Sequence, residues 1–344
     1  MNKFIFGLIA ISGGLILTAC GSGDSDSPSS FQSGDSPDSA LAITISNAED
    51  VSASSLSAID SATNASGDTV AFSASIEGEG QTFEISQFVR HLLTHLPEDA
   101  FQDSDLATGI VINPTTFDCS DPDVGGVSGQ ITISGNLASQ STLTAGDELN
   151  SEFFNCEIEP GLVGDGEMNF VINSFSGDLS FTTPPYQLGV DVTFVDFTVT
   201  SGLDSYFADG GMTMDMSIGV DNIQTLLASG DFITVREGAS TQIRLFDYEI
   251  SEVIDFNNNS YIQEQSGTVD SSVLGGSVSF TTTLPFEGIL GEFPDVGTLL
   301  MTGDNSSAAR LVVIDEVNVQ IFVDEDGDGN FDAPTTVAWV DLEL

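Results

Sequence analysis

Basic residues are almost absent from this sequence. Its 344 residues include 53 Asp and Glu but only 5 Lys and Arg, which gives a formal net charge of −48. The five are Lys3, Arg90, Arg236, Arg244 and Arg310. Because nucleic acids are bound through clustered Lys and Arg, we exclude a nucleic-acid partner. The acidic excess fits either a surface adapted to high salt or a cation-binding surface, and both interpretations stay open.

Histidine and the usual catalytic motifs are equally scarce. The two histidines, His91 and His95, are spaced i, i+4, but no third zinc ligand lies near them in the sequence. Both fall on the polar arc of a predicted helix over Ser86–Leu96, which favours surface histidines. No GxSxG, Walker, GxGxxG or CxxC pattern occurs. We therefore expect no enzymatic activity.

The first twenty residues have the pattern of an export signal. Lys3 precedes an apolar run over Phe4–Leu17, and the tetrapeptide LTAC ends at Cys20. This ending resembles the lipobox of bacterial lipoproteins. The resemblance implies that residues 1–19 are removed and that Cys20 carries diacylglycerol and an amide-linked fatty acid such as palmitate. In Gram-negative lipoproteins, residues such as Gly21 and Ser22 imply anchoring in the outer membrane, on its periplasmic or cell-surface side.

The segment after the predicted lipidation site cannot supply a core. Residues 20–40 consist mainly of Ser, Gly, Asp and Pro, which predicts a solvated tether. Residues 41–344 form the predicted folded domain, because 40% of the chain is hydrophobic and 24 residues are Phe. The peptides LSFTTPPY, at 179–186, and VSFTTTLPF, at 278–286, resemble each other. The domain is therefore either one β unit or two related halves that meet near 184–186.

Two of the three cysteines remain after Cys20 is assigned to lipid. Cys119 and Cys156 form an even pair in what the export signal predicts to be an oxidising compartment, so a disulfide is the expected state. No closely spaced cysteine or nearby histidine supports a metal or redox site at either position.

Periodicity predicts few helices and many strands. A helix is expected after an N-cap at Asn47, reaching about Ala62, and a second over Ser86–Leu96, where Pro97 ends it. From Gly109 onward the pattern is typical of strands. We predict a mainly β fold, with a large curved antiparallel sheet of half-barrel or sandwich type and one or two short helices near the N-terminus.

Particular strands and turns are also predicted. Alternating apolar residues indicate two strands, and a change of phase after Phe194 indicates a bulge. The two alternating rows are Met212, Met214, Met216 and Ile218, and Val317, Val319, Ile321 and Val323. Turns are predicted at four glycine-containing sites: Gly125-Gly126, Gly146-Asp147, Asp209-Gly210-Gly211 and Gly275-Gly276.

One motif near the C-terminus carries chemistry. The sequence DEDGDGNFD places aspartates at positions 1, 3, 5 and 9 of a loop with glycine at position 6, the pattern of EF-hand and dockerin calcium loops. This resemblance implies calcium ligands from the four carboxylates and from the main-chain carbonyl at position 7. Thr335 replaces the bidentate Glu at position 12, which predicts weak binding or a last ligand from elsewhere. The predicted metal ligands are Asp324, Asp326, Asp328, Asn330 and Asp332.

A second stretch, Asp255–Ser260, has similar spacing but weaker ligands, and whether it binds a cation stays open.

These observations predict a non-enzymatic, lipid-anchored outer-membrane protein that resembles β-rich lipoproteins of Gram-negative bacteria and has a structural calcium loop. One alternative is a periplasmic carrier of lipid or another hydrophobic ligand, with the row Met212, Met214 and Met216 lining a cavity, although such rows more often pack in a core. Another is a surface adhesin bridged by calcium.

Overall fold

In the described part of the chain, fourteen β-strands form one antiparallel sheet in which each strand pairs with its neighbour in the sequence. The computed structural model describes residues 36–66, 110–120, 126–139, 142–159, 161–177, 184–201, 204–237 and 241–342. The strands are β1 (Ile110–Asp118), β2 (Ser128–Leu137), β3 (Glu148–Glu159), β4 (Leu162–Ser176), β5 (Tyr186–Ser201), β6 (Asp204–Ile218), β7 (Ile223–Glu237), β8 (Thr241–Asp255), β9 (Ser260–Ser271), β10 (Gly276–Ile289), β11 (Val296–Thr302), β12 (Ala308–Val313), β13 (Asn318–Asp324) and β14 (Thr335–Ala338). The predicted mainly β fold with a large antiparallel sheet is confirmed. Strands β1 and β14 form the two edges of this open sheet.

One α-helix, α1 (Ala48–Ser66), precedes the sheet in the described ranges. It begins where the sequence predicts, because the carbonyl of Asn47 accepts the first helical hydrogen bond from the N–H of Val51 at 2.9 Å. It continues four residues beyond the expected end at Ala62. The second predicted helix, Ser86–Leu96, lies outside the described residues.

The core lies on one face of the sheet, where α1 packs. Met212, Met214 and Met216 are buried along β6, as their alternation predicts. In α1, the five successive residues Val51–Ser55 are all buried, so this part of the helix is covered on every side. Because α1 contacts β7–β10 and also β12 and β13, it lies along the concave face of a curved sheet.

The predicted bulge occurs in β5. The pairing of β5 with β6 shifts register between Phe194 and Phe197, and Asp196 adopts a positive φ of 48°. After the bulge the inward side chains are Phe197 and Val199, whereas Val195 is 40% exposed. The extra residue therefore returns the apolar positions to the core face.

One predicted turn is wrong. Asp209, Gly210 and Gly211 lie inside β6, where a register shift against β7 follows Gly211. Gly210 does not reverse the chain direction. It allows β6 and β7 to approach closely, because a Cβ on Gly210 would lie 2.6 Å from the carbonyl oxygen of Phe232. Turns do occur at Gly146 and Gly275, as predicted.

The docked part of the chain begins ahead of the predicted boundary at Leu41. The main-chain N–H of Asp38 donates to the carboxylate of Asp270 at 3.0 Å, and Ala40 bridges to Ser277. The described residues belong to one compact unit. At the predicted junction near 184–186, β4 and β5 pair along their lengths from Leu162 to Ser176, so the sheet continues through this point. An internal duplication stays a prediction.

Candidate metal centre

Three aspartates converge in the loop between β13 and β14. Asp324, the last residue of β13, is buried, and Asp326 and Asp328 are exposed. One carboxylate oxygen from each lies within 4.8 Å of the others. The alternation of aspartates along a tight loop brings these oxygens together, so the group could hold one metal ion.

The backbone of the loop is shaped by two glycines. Gly327 and Gly329 adopt φ values of 71° and 85°, in the left-handed region that other residues rarely enter. Their N–H groups donate to the two carboxylate oxygens of Asp324 at 2.9 and 2.8 Å. Gly329 thus makes the sharp turn that the motif requires at position 6, and the Asp324 side chain holds the turn from inside.

Hydrogen bonds keep one of the exposed carboxylates charged. The side-chain amide of Asn330 donates to Asp328 at 2.9 Å, and the main-chain N–H of Asn330 donates to it at 2.8 Å. These two bonds lower the pKa of Asp328 below its ordinary value. Its carboxylate is therefore ionised near neutral pH, the form in which it can bind a cation.

One of the four predicted carboxylate ligands stands apart from this group, and the main-chain carbonyl of Asn330 stays a predicted ligand. The carboxylate of Asp332 is not among the converging oxygens of the described residues. The main-chain N–H of Asp332 donates to the carbonyl of Val323 at 2.8 Å, and this bond closes the base of the loop. Asp332 also lines a small cleft together with Glu49. Asn330 contacts Asp328 through its side chain. Thr335 pairs with Ile321 in the sheet, so position 12 of the motif belongs to a strand.

Two contacts of the loop escaped sequence analysis. The carboxylate of Glu325 accepts a hydrogen bond of 2.6 Å from the N–H of Ile45. The guanidinium of Arg310 lies over the ring of Phe331, with its central carbon 4.4 Å from the ring centroid, and also over the ring of Phe322 at 4.9 Å. No local signal could have found the first contact, because the partners are 280 residues apart.

The predicted disulfide is confirmed. Cys119, directly after β1, and Cys156, in β3, are bonded with their Cα atoms 5.8 Å apart. The bond joins two strands that are separated by β2 in the sheet. Cys20, His91 and His95 lie outside the described residues.

The second acidic stretch is a hydrogen-bonded turn between β8 and β9. Asp255 accepts hydrogen bonds from the main-chain N–H groups of Asn257 and Asn258 and from both of their side-chain amides. The side-chain amide of Asn258 makes the largest contribution to a lowered pKa of Asp255. These amides satisfy the single carboxylate of the turn, and the side-chain amide of Asn257 also donates to the main-chain carbonyl of Asp221. Among the described residues, Asp255 belongs to no group of three converging carboxylates.

Comparison with protein-family models, with curated proteins and with solved structures finds no match. In the described part of the chain, no helix has the length and apolar character needed to cross a membrane.

Proposed function

We propose that this protein is a non-enzymatic lipoprotein anchored in the outer membrane through Cys20, and that its β domain contains a structural calcium loop. The observation that carries the proposal is the convergence of Asp324, Asp326 and Asp328 on a point that one ion could occupy. The anchor rests on the lipobox-like ending of the first twenty residues.

The donor set favours calcium over other metals. The converging atoms are carboxylate oxygens, which suit hard cations, whereas zinc and copper sites use imidazole or thiolate. Magnesium requires near-ideal octahedral geometry and keeps several waters, so a flexible oxygen-rich loop fits calcium better. Because Thr335 provides no bidentate carboxylate, the dissociation constant should be about 0.1 to 1 mM, in the range of extracellular calcium modules.

The role of the ion would be structural. In calcium sensors, binding changes the angle between two helices that flank the loop. Here the flanking elements are the strands β13 and β14. They pair with each other, with Asn318 opposite Ala338 at one end and Ile321 opposite Thr335 at the other. An ion would remove the repulsion among the loop carboxylates and so stabilise the last hairpin of the sheet.

Calcium should therefore raise the thermal stability of the protein. Calcium at about 10 mM is about 10 to 100 times the expected dissociation constant. At that concentration linkage adds about 1.4 to 2.7 kcal/mol to the free energy of unfolding, which corresponds to a rise of about 3 to 5 °C in Tm. Differential scanning calorimetry in EDTA and in about 10 mM calcium measures this difference. The double variant Asp326→Asn, Asp328→Asn should lose the calcium response.

The matched control is Asp255→Asn, which changes an aspartate in a tight turn at the opposite end of the sheet. It should retain the full response to calcium. Equal melting of the wild-type protein in EDTA and in calcium would show that the Asp324–Asp332 loop is only a solvated turn.

Two other roles would give different results. A carrier of hydrophobic molecules should retain a non-covalently bound lipid in native mass spectrometry, even when the protein is produced without the acyl chains on Cys20. In the structure, Met212, Met214 and Met216, the row that was considered as a cavity lining, are buried in the core. A calcium-bridged adhesin should self-associate when calcium is added in sedimentation experiments. Either result would replace the structural role proposed here.

A further inference from the structure

The ten residues before the helix, Asp38–Asn47, cross one end of the sheet and are called the strap. Turns that follow odd-numbered strands lie at the same end of an antiparallel sheet, because successive strands alternate in direction. The β9–β10 turn, the β11–β12 loop and the β13–β14 loop therefore share this end. The strap contacts all three.

The first attachment is to the β9–β10 region. The carboxylate of Asp38 lies 3.3 Å from the guanidinium of Arg244, which also pairs with Asp270. The N–H of Leu41 donates to the carbonyl of Ser277 at 2.9 Å. Charge and main-chain hydrogen bonds together hold the beginning of the strap.

The second attachment is to the β11–β12 loop. The carbonyl of Leu41 accepts a hydrogen bond of 2.8 Å from the N–H of Asp304. Two residues on, the N–H of Ile43 donates to the hydroxyl of Ser307 at 2.8 Å, and the Ile43 side chain is fully buried. This is the best-packed point of the strap.

The third attachment is to the loop between β13 and β14, Asp324–Asp332, which is called the aspartate loop. Glu325, which accepts the hydrogen bond from Ile45, stands between Asp324 and Asp326 in the sequence. The loop also packs tightly on the β11–β12 loop, since a Cβ on Gly327 would lie 2.5 Å from the carbonyl oxygen of Asn305. The aspartate loop, the β11–β12 loop and the strap thus form one continuous set of contacts.

From these contacts we infer that the aspartate loop is a latch: cation binding at Asp324–Asp328 and docking of the strap stabilise each other. The inference rests on the proposed calcium site. An ion that orders the loop fixes the direction of the Glu325 carboxylate, so the strap loses less conformational entropy when it docks. By linkage, docking of the strap strengthens calcium binding by the same factor. Calcium would then control how firmly the chain between the anchor and α1 is held.

Hydrogen–deuterium exchange of the strap tests the latch in the full mature chain. Calcium at about 10 mM, against EDTA, should slow exchange of the amides of Leu41, Ile43 and Ile45 by about 5-fold or more, the lower end of typical coupling between sites. Glu325→Ala removes the acceptor and should abolish this protection at Ile45. Glu325→Gln keeps an acceptor oxygen and should preserve most of it.

The matched control is Glu316→Ala, which removes an exposed glutamate from the β12–β13 turn at the other end of the sheet. It should behave as the wild type does. In calorimetric titration with calcium, Glu325→Ala should bind more weakly by the factor seen in exchange, and Glu325→Gln should bind nearly as the wild type. Circular dichroism confirms that each variant is folded.

The outcomes separate this inference from the proposed function. If calcium binds and raises Tm but exchange in the strap is unchanged, the latch is wrong and the structural calcium loop stands. Equal effects of Glu325→Ala and Glu325→Gln would also overturn the latch, because the charge and not the hydrogen bond would then be responsible. If no calcium binds, both proposals fail.

Discussion

Some buried side-chain polar atoms of the described core have no hydrogen-bond partner. On the inner face of β9, Gln263 is 1% and Gln265 is 3% exposed. The described structure gives no hydrogen-bond partner to the Gln263 carbonyl oxygen or to either side-chain amide atom of Gln265. A buried donor or acceptor without a partner costs about 1 to 3 kcal/mol of stability. These positions are therefore weak points of the buried face.

Replacing Gln265 by leucine should consequently stabilise the protein. The change keeps a similar volume and removes an amide that gains no hydrogen bond, so the free energy of unfolding should rise by about 1 kcal/mol. Urea denaturation measures the change. Gln224→Leu is the control, since Gln224 is equally buried in β7 but does have a partner, and it should lose stability. A loss of stability in Gln265→Leu would contradict the prediction.

For single residues, the sequence predicts much of the candidate metal site but not the contacts around it. The spacing of Asp324, Asp326 and Asp328 predicts their convergence, because alternate residues of a tight loop direct their side chains toward the same point. Asp332 lies outside this group, and its main-chain N–H closes the base of the loop by donating to the carbonyl of Val323. Spacing alone does not encode that closure.

Strands are the elements that the sequence predicts best. Alternation of apolar residues identifies β6 and β13, and a change of phase locates the bulge in β5. Both signals are visible in the sequence because a strand with one buried face needs an apolar residue at every second position. A glycine pair is ambiguous, since both a turn and a bulge use its conformational freedom. The placement of Gly210 and Gly211 within β6 is decided by how closely β7 approaches, which is a property of the neighbouring strand.

The bulge in β6 should tolerate no side chain. Gly210→Ala places a methyl group against the Phe232 carbonyl in a backbone conformation of positive φ, 120°, and should lower the free energy of unfolding by about 3 kcal/mol. Gly161→Ala is the matched control, because Gly161 also has a positive φ of 87° but has open space around it. It should lose only about 1 kcal/mol. Equal losses in the two variants, measured by urea denaturation, would show that close packing at Gly210 contributes nothing.

For the whole molecule, the strap is the feature that sequence analysis could not supply. Its hydrogen-bonding partners Asp270, Ser307 and Glu325 lie 232 to 280 residues away and are common residue types with no distinctive spacing. Arg244 is one of few basic residues, but nothing in the sequence assigns Asp38 to it among the many acidic residues. The composition of residues 20–40 indicates a solvated tether, and the last residues of that range are docked. Composition measures how much a segment can bury, whereas the strap is held mainly by its main-chain N–H groups.

The proposed anchor should be separable from the folded domain. Cys20→Ser should abolish labelling of the protein by radioactive palmitate in growing cells, because the thiol that accepts diacylglycerol is lost. The Tm of the domain should be unchanged, since seventeen residues lie between Cys20 and the first docked residue, Asp38. Ser22→Ala, a neighbouring change that leaves the thiol, is the control and should still be labelled. Persistent labelling of Cys20→Ser would refute the lipoprotein assignment.

The strap also determines the order in which the chain can fold. Each strand pairs only with its neighbours in the sequence, so hairpins can form one after another as the chain emerges, at low cost in loop entropy. The strap and α1 cannot form their contacts by this local route, because the hydrogen-bond partner of Ile45 is Glu325, which lies 280 residues later in the sequence. The first described residues and the last hairpin must therefore meet in the same late step. Until then, the concave face lacks its helix and is the surface most exposed to aggregation.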